Sequence, residues 1–159
     1  MPLLEFEVFF KQEYEPMVRA LTLALGDRSS AEESAQEGFA KAFGRWKRVG
    51  SMERPAAWVY VVAMRHQRGH PRREPVASTV AVVENPDNVD DRLTVSALLG
   101  HLTPRQRQAI VLRYHADLSL AEVAAVLGCR VGTAKATLHQ ALGRLRISST
   151  VEVQRDGHH

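Results

Sequence analysis

The 159-residue sequence contains one cysteine, Cys129, so it can form no internal disulfide, and this suits a reducing compartment. No stretch approaches the roughly 20 consecutive apolar residues that a membrane helix needs. The opening segment, MPLLEFEVFF, places acidic residues where a secretory signal would carry basic ones. These shortages lead to the expectation of a soluble, cytoplasmic protein with no membrane partner. Catalytic signatures are missing as well. The sequence shows no glycine-rich phosphate loop, no nucleophile elbow and no convincing carboxylate pair, so an enzyme is not expected and no cofactor is called for. His66 and His70 are four apart and could share a metal on one helix face. No acidic or cysteine partner stands near them, however, and histidines at a basic helix end more often meet phosphate or solvent. Aromatic residues supply only 6% of the chain, although the 45% apolar content is ordinary for a globular protein.

Charge is present but unevenly spread. The formal net charge is +3 and the isoelectric point is near 9.3. Residues 1–40 carry 8 acidic and 3 basic side chains, whereas residues 41–74 carry 2 and 9. Residues 75–92 return to 4 acidic and 1 basic, and residues 103–146 hold 2 and 7. Two basic blocks separated by an acidic segment suggest two polyanion-facing surfaces, set against the plainer reading of solvated helix faces.

The most informative stretch is Leu118 to Arg146, LSLAEVAAVLGCRVGTAKATLHQALGRLR. Ser119 stands at an N-cap position with Glu122 as its capping-box partner. Val123, Val126 and Leu127 form an apolar stripe, and Gly128 supplies the stop. Cys129, in the turn, reads as a small buried hydrophobe. From Thr133 to Arg146 the helical period returns, with Leu138, Ala141, Leu142 and Leu145 inward and Lys135, Thr137, His139, Gln140 and Arg144 outward. This is the pattern of a helix-turn-helix whose second helix enters the DNA major groove. A helical hairpin packed into a larger core is the alternative.

The rest of the chain is predicted to be helical, giving an all-α fold of two small helical domains on a tether. Residues 4–25 place Phe6, Phe9, Phe10, Met17, Val18, Leu21 and Leu25 on an apolar face, with Pro16 bending or dividing the helix. A second helix, capped by Ser30 with Glu33, runs to about Trp46, with Phe39, Ala42, Phe43 and Trp46 inward and Lys41, Arg45 and Lys47 outward. Pro55 opens a third, whose core face is Trp58, Val59, Val62 and Ala63. It ends at Gly69 and Pro71 within the cluster Arg65, Arg68, Arg72 and Arg73. Residues 74–89 read as a flexible linker, with TVAVV as a short strand in the alternative. A fourth helix is expected over Asp90–Leu102. Thr103-Pro104 starts a fifth, with Ile110, Val111 and Tyr114 inward. The division is thus 1–73, linker 74–89, 90–147 and a frayed tail 148–159.

The segments SAEESAQEGFAKAFGRW, RPAAWVYVVA and LTPRQRQAIVLRYHADLSLAEVAAVLGCRVGTAKATLHQALGRLR, in this order and spacing, resemble an extracytoplasmic-function (group 4) sigma factor of bacterial RNA polymerase. The resemblance covers nearly the whole chain. It implies an N-terminal domain that grips the polymerase and opens the downstream promoter element, and a C-terminal domain that reads the upstream element. The implied partners are core RNA polymerase, through its clamp and flap regions, and promoter DNA, with an anti-sigma antagonist as a further candidate.

The resemblance places Gln36, Glu37, Phe39, Lys41 and Phe43 on the clamp-docking helix, with Phe39 and Phe43 equally readable as core. Arg65, Arg68, Arg72 and Arg73, the basic cluster around the end of the third helix, are expected to bind DNA, while Trp58, in the segment matching the family's AWLY-type motif, reads more readily as core than as a stacking residue. Arg130, Thr133, Lys135, Thr137 and His139 fall at the start and outer face of the recognition helix. There, arginine and lysine suit phosphates or guanine edges and Thr133 suits a phosphate at the helix N-terminus. The sequence also departs from the family pattern. Val61 and Met64 stand where strand-capturing polar residues are usual, Ala136, Thr137 and Gln140 where serine and arginines are usual, and Ser34 and Ala35 where an apolar pair is usual. Three readings follow: a promoter-specificity subunit, a sigma-like adaptor or decoy that binds polymerase without melting DNA, and a free-standing helix-turn-helix regulator. The last leaves the first 70 residues without a role.

Overall fold

The computed structural model describes residues 2–69, 95 and 97–156. The predicted linker 74–89, its TVAVV segment, His70, Arg72 and Arg73 lie outside the described residues. Among the described residues every regular element is helical. They are α1 (Pro2–Leu25), α2 (Arg28–Gly44), the short α3 (Trp46–Val49), α4 (Pro55–Gly69), α5 (Pro104–Ile110), α6 (Leu120–Leu127) and α7 (Val131–Asp156). A π-helical turn, Val111–His115, continues α5. Of the expected helix Asp90–Leu102, residues 97–99 are helical, and Leu99 and Leu102 are buried.

Local chemistry accounts for most boundaries. Pro16 lies inside α1 without dividing it. Asp27, rather than Ser30, caps α2: its carboxylate accepts the Ser29 and Ser30 amides at 3.2 and 3.1 Å, and the Ser30 hydroxyl also donates to it at 2.6 Å. A carboxylate at the positive end of a helix competes well with a hydroxyl. Thr103 caps α5 and forms a capping box with Gln106, with Pro104 following in the first turn. α7 extends to Asp156, into the segment 148–159 expected as the tail.

In the N-terminal half, α1, α2 and α4 pack as a three-helix unit. Close crossing of α2 and α4 depends on Gly38. A Cβ there would stand 2.9 Å from Val59 Cγ1 and 3.0 Å from the Val59 carbonyl oxygen. The small pair Ser34 and Ala35 is fully buried in the same seam, and the Ser34 hydroxyl lies 3.3 Å from Gln67 Oε1 as donor. In the C-terminal half, α6 and α7 pack on α5. Ile110, Val111 and Leu112 are buried, but Tyr114, expected inward, is 58% exposed. The π-helical turn accounts for this, because widening the helix shifts the register of side chains after Val111.

The two halves share one apolar core. α1 packs against α5 and the π-turn, and α4 packs against α6. Met17, Leu21, Val59 and Ala63 from one half, with Leu112, Leu118, Val123 and Val126 from the other, belong to a single buried cluster. No helix of the described residues is long and apolar enough to cross a membrane.

Candidate nucleic-acid and protein interfaces

The helix-turn-helix is built by its caps. The Ser119 hydroxyl accepts the Glu122 amide at 3.1 Å, and the Glu122 carboxylate accepts the Ser119 amide at 2.8 Å. Gly128 ends α6 in the left-handed region (φ 69°), and the next amide, Cys129, donates to the Ala124 carbonyl at 3.0 Å. Only glycine enters this conformation without a Cβ penalty, so the turn is set by one residue. Cys129 is half-buried against the core.

The turn aims α7. Ala134, Leu138 and Ala141 are buried, which leaves the opposite face in solvent. Arg130, Thr133, Lys135 and His139 are all exposed there, with Ala136 and Gln140 beside them. The structure thus brings together four of the five recognition-helix residues picked out from the sequence. Thr137 differs, being half-buried with its hydroxyl donating to the Thr133 carbonyl at 2.9 Å. A helix that offers cationic and hydroxyl side chains from its first turns can meet both phosphates and base edges.

The basic end of α4 is the second polar surface. Arg65 is exposed. Arg68 is also exposed, yet its Nη1 donates to the Val126 carbonyl of α6 at 2.9 Å. Its pKa is lowered, first by partial burial and then by the charges of Arg105 and Arg65. Arg68 is therefore already engaged by the helix-turn-helix unit. His66 pairs with Glu33 of α2 at 3.2 Å, and among the described residues no cluster of three or more metal-ligating side chains occurs. Of the unusual residues on α4, Val61 is half-buried and Met64 is 2% exposed within the core.

The third surface lies along α1 and α2. Gln36 is exposed and donates from Nε2 to the Tyr14 hydroxyl at 3.3 Å, while Glu37 and Lys41 pair at 3.3 Å across one helical turn. Phe43 is 53% exposed and its ring lies 5.0 Å from that of Phe6. Phe39, assigned to this surface from the resemblance, is a core residue at 2% exposure. Its ring is enclosed by Phe9, Phe10 and Tyr14 at 5.3–5.6 Å. It can support a docking face only from beneath. Phe10, expected inward, is instead 37% exposed and stacks on Tyr14 at 4.8 Å, which extends the aromatic surface onto α1. Composition gave no signal for this, because the neighbour is a residue four positions on whose orientation depends on α2.

Comparison with known proteins agrees with this arrangement. Residues 92–145 match the Sigma-70, region 4 family. The RNA polymerase sigma-E factor of Streptomyces avermitilis is 32% identical over 151 residues, spanning 90% of this chain and 84% of that protein. The ECF RNA polymerase sigma factor SigL of Mycobacterium tuberculosis is 33% identical over 135 residues, spanning 77% and 76%. Among solved structures, the sigma factor RpoE of Bartonella quintana, crystallised with the anti-sigma factor NepR, matches with a TM-score of 0.63 and 25% identity. That match covers 89% of this chain and 97% of the other. With its helix-turn-helix, its three-helix N-terminal unit and relatives spanning nine-tenths of its length, the chain belongs to the extracytoplasmic-function group of the sigma-70 family of RNA polymerase sigma factors.

Proposed function

We propose that the chain directs core RNA polymerase to specific promoters, docking through α2 and reading the upstream promoter element with α7. The carrying observation is the solvent-facing row Arg130, Thr133, Lys135 and His139 on a helix fixed by the Gly128 turn. On this reading Gln36, Glu37, Lys41 and Phe43 contact the polymerase clamp, with Phe39 holding their helix in place. Arg65 and Arg68, with Arg72 and Arg73, face the downstream promoter element. The division into a polymerase-docking domain over 1–73 and a promoter-reading domain over 90–147 belongs to the same proposal. The protein acts by binding rather than by catalysis, and its workplace is the cytoplasm, where the polymerase is. An anti-sigma antagonist is proposed by analogy with the Bartonella quintana relative, which was crystallised with one.

A second reading, an adaptor that holds polymerase without melting DNA, draws on Val61 and Met64. Neither side chain can donate a hydrogen bond to an extruded base, and Met64 is packed into the core. Reconstituted transcription separates the two. Purified chain, core polymerase and genomic promoter fragments are combined, and permanganate-reactive bases and transcripts are followed. Opened DNA with a specific transcript supports the sigma factor, and polymerase binding without opening on any fragment supports the adaptor. Absence of polymerase binding overturns both.

A further inference from the structure

We propose that the cleft between α1, the head of α4 and the segment after the π-turn binds a small organic cation, an ammonium group carried on an apolar body. This goes beyond the promoter-directing reading and uses none of the residues assigned there to polymerase or DNA.

The cleft encloses about 420 Å³, within the range of roughly 300–1,000 Å³ that small-molecule sites occupy. Its apolar walls come from three places in the chain: Phe9 and Pro16 of α1, Pro55 and Ala56 of α4, and Leu118 beyond the π-turn. The charged groups that line it do not cancel. Arg54 donates from Nη1 to the Glu122 carboxylate at 2.6 Å and from Nη2 to the Asp117 carbonyl at 3.1 Å, so its charge is matched by a residue outside the cleft. His115 favours its neutral form. Glu13 and Glu53, by contrast, have no ion-pair partner among the described residues. Two carboxylates therefore line an apolar cleft with no cation of the chain paired to either. The charge of Arg19 is felt at His115 and that of Glu13 at Tyr60, which gives the cleft a cation-repelling end and a cation-attracting one.

Tyr60 points to a ligand independently of the carboxylates. It is only 5% exposed, and its hydroxyl makes no hydrogen bond to the described residues. Among those residues the Trp46 indole nitrogen is the one side-chain polar atom both sealed from solvent and unpartnered. The Tyr60 oxygen is therefore open, and what it opens to is the cleft that its side chain lines. A polar group held this deep is costly to leave unpaired, and a ligand atom in the cleft would complete it. Burial first, and then the Glu13 charge, raise the Tyr60 pKa, so the phenol keeps its proton. Its oxygen can then accept from an ammonium, which has donors to spare for Glu13. An anionic ligand would instead meet two like charges.

The test titrates the full chain, labelled with nitrogen-15, with phenethylamine as the probe. Phenylethanol and phenylpropionate run in parallel, since they keep the apolar body and exchange the head for a neutral or an anionic one. Amide shifts report where each probe binds. Phenethylamine should move the Glu13, Glu53, Tyr60 and Ala116 amides saturably, phenylethanol should need about tenfold more, and phenylpropionate should leave them unmoved. Glu13→Gln should raise the phenethylamine midpoint by about tenfold and leave that of phenylethanol in place. Tyr60→Phe, which keeps the ring, should raise the amine midpoint by about fivefold. Glu53→Gln lies at an exposed position that packing does not depend on, so it tests the charge even if the buried substitutions disturb the fold. It should raise the amine midpoint by about threefold. Equal midpoints for amine and alcohol overturn the cation site, as does an amine midpoint unmoved by Glu13→Gln and Glu53→Gln. Amides that show no saturable shift at millimolar amine overturn the proposal altogether, leaving a cleft filled by water.

Discussion

Phe39 and Phe43 stand one turn apart on α2, yet they carry different burdens. Phe39 is ringed by Phe9, Phe10 and Tyr14, so truncation leaves a cavity that α1 and α2 cannot close. Phe39→Ala should cost about 3–5 kcal/mol in chemical denaturation. Phe43 has half its surface in solvent, so Phe43→Ala should change stability little and lower affinity for core polymerase, read by fluorescence titration. If Phe43→Ala binds polymerase as tightly as the parent, the docking face lies elsewhere. Lys135 is exposed and stands among the exposed residues of the recognition helix. Lys135→Ala should weaken promoter binding and make the plot of log affinity against log salt shallower by about 0.9, the signature of one lost phosphate contact. An unchanged slope would assign Lys135 away from the backbone.

At the scale of elements, the chain is governed by caps and close crossings. Ser119–Glu122 and Gly128 are local signals, and the structure forms both as the sequence predicts. The start of α2 was less legible, because Asp27 and Ser30 are both good cap residues. Only the chain path into the helix places the carboxylate over the amides. The exposure of Tyr114 was not legible at all, since a π-helical turn leaves no periodic trace in a segment of five residues. Gly38 likewise looks like a poor helix residue until α4 is laid against it. Gly38→Ala removes the entropic cost of glycine in a helix but meets Val59 at 2.9 Å. The clash includes a backbone oxygen that cannot turn aside, so a loss of about 1–3 kcal/mol is expected in thermal or urea unfolding. Stabilisation instead would mean that the α2–α4 seam is looser than described.

At the scale of the molecule, the junction between the halves sets the behaviour. His115, exposed at the end of the π-turn, has a lowered pKa, first through partial desolvation and then through the charge of Arg19 on α1. It lines a cleft of about 420 Å³ together with Glu13, Glu53, Arg54 and Tyr60. The folded chain therefore favours the neutral imidazole. That contribution is fully present above the ordinary histidine value of 6.5 and is lost as pH falls through the lowered one. The parent should lose stability across this acid range more steeply than His115→Gln, as measured by urea midpoints at successive pH values. Equal slopes would show that neither desolvation nor Arg19 disfavours the charged His115 in the folded chain.

The sequence by itself determined what depends on neighbours a few residues away. Those features are the all-helical class, the helix-turn-helix with its capping box and glycine stop, the outward row on α7, and the resemblance to a family. These follow from periodicity and capping, which act over one or two turns. The tertiary structure decided what depends on distant partners. It placed Phe39 in the core and Phe10 at the surface, and it committed Arg68 to a carbonyl 58 positions away. It also joined Arg54 to Glu122 across 68 positions. A guanidinium carries no mark of whether it will meet a phosphate or a helix end. That choice is made when two apolar faces bury one another and bring their polar rims within hydrogen-bonding distance.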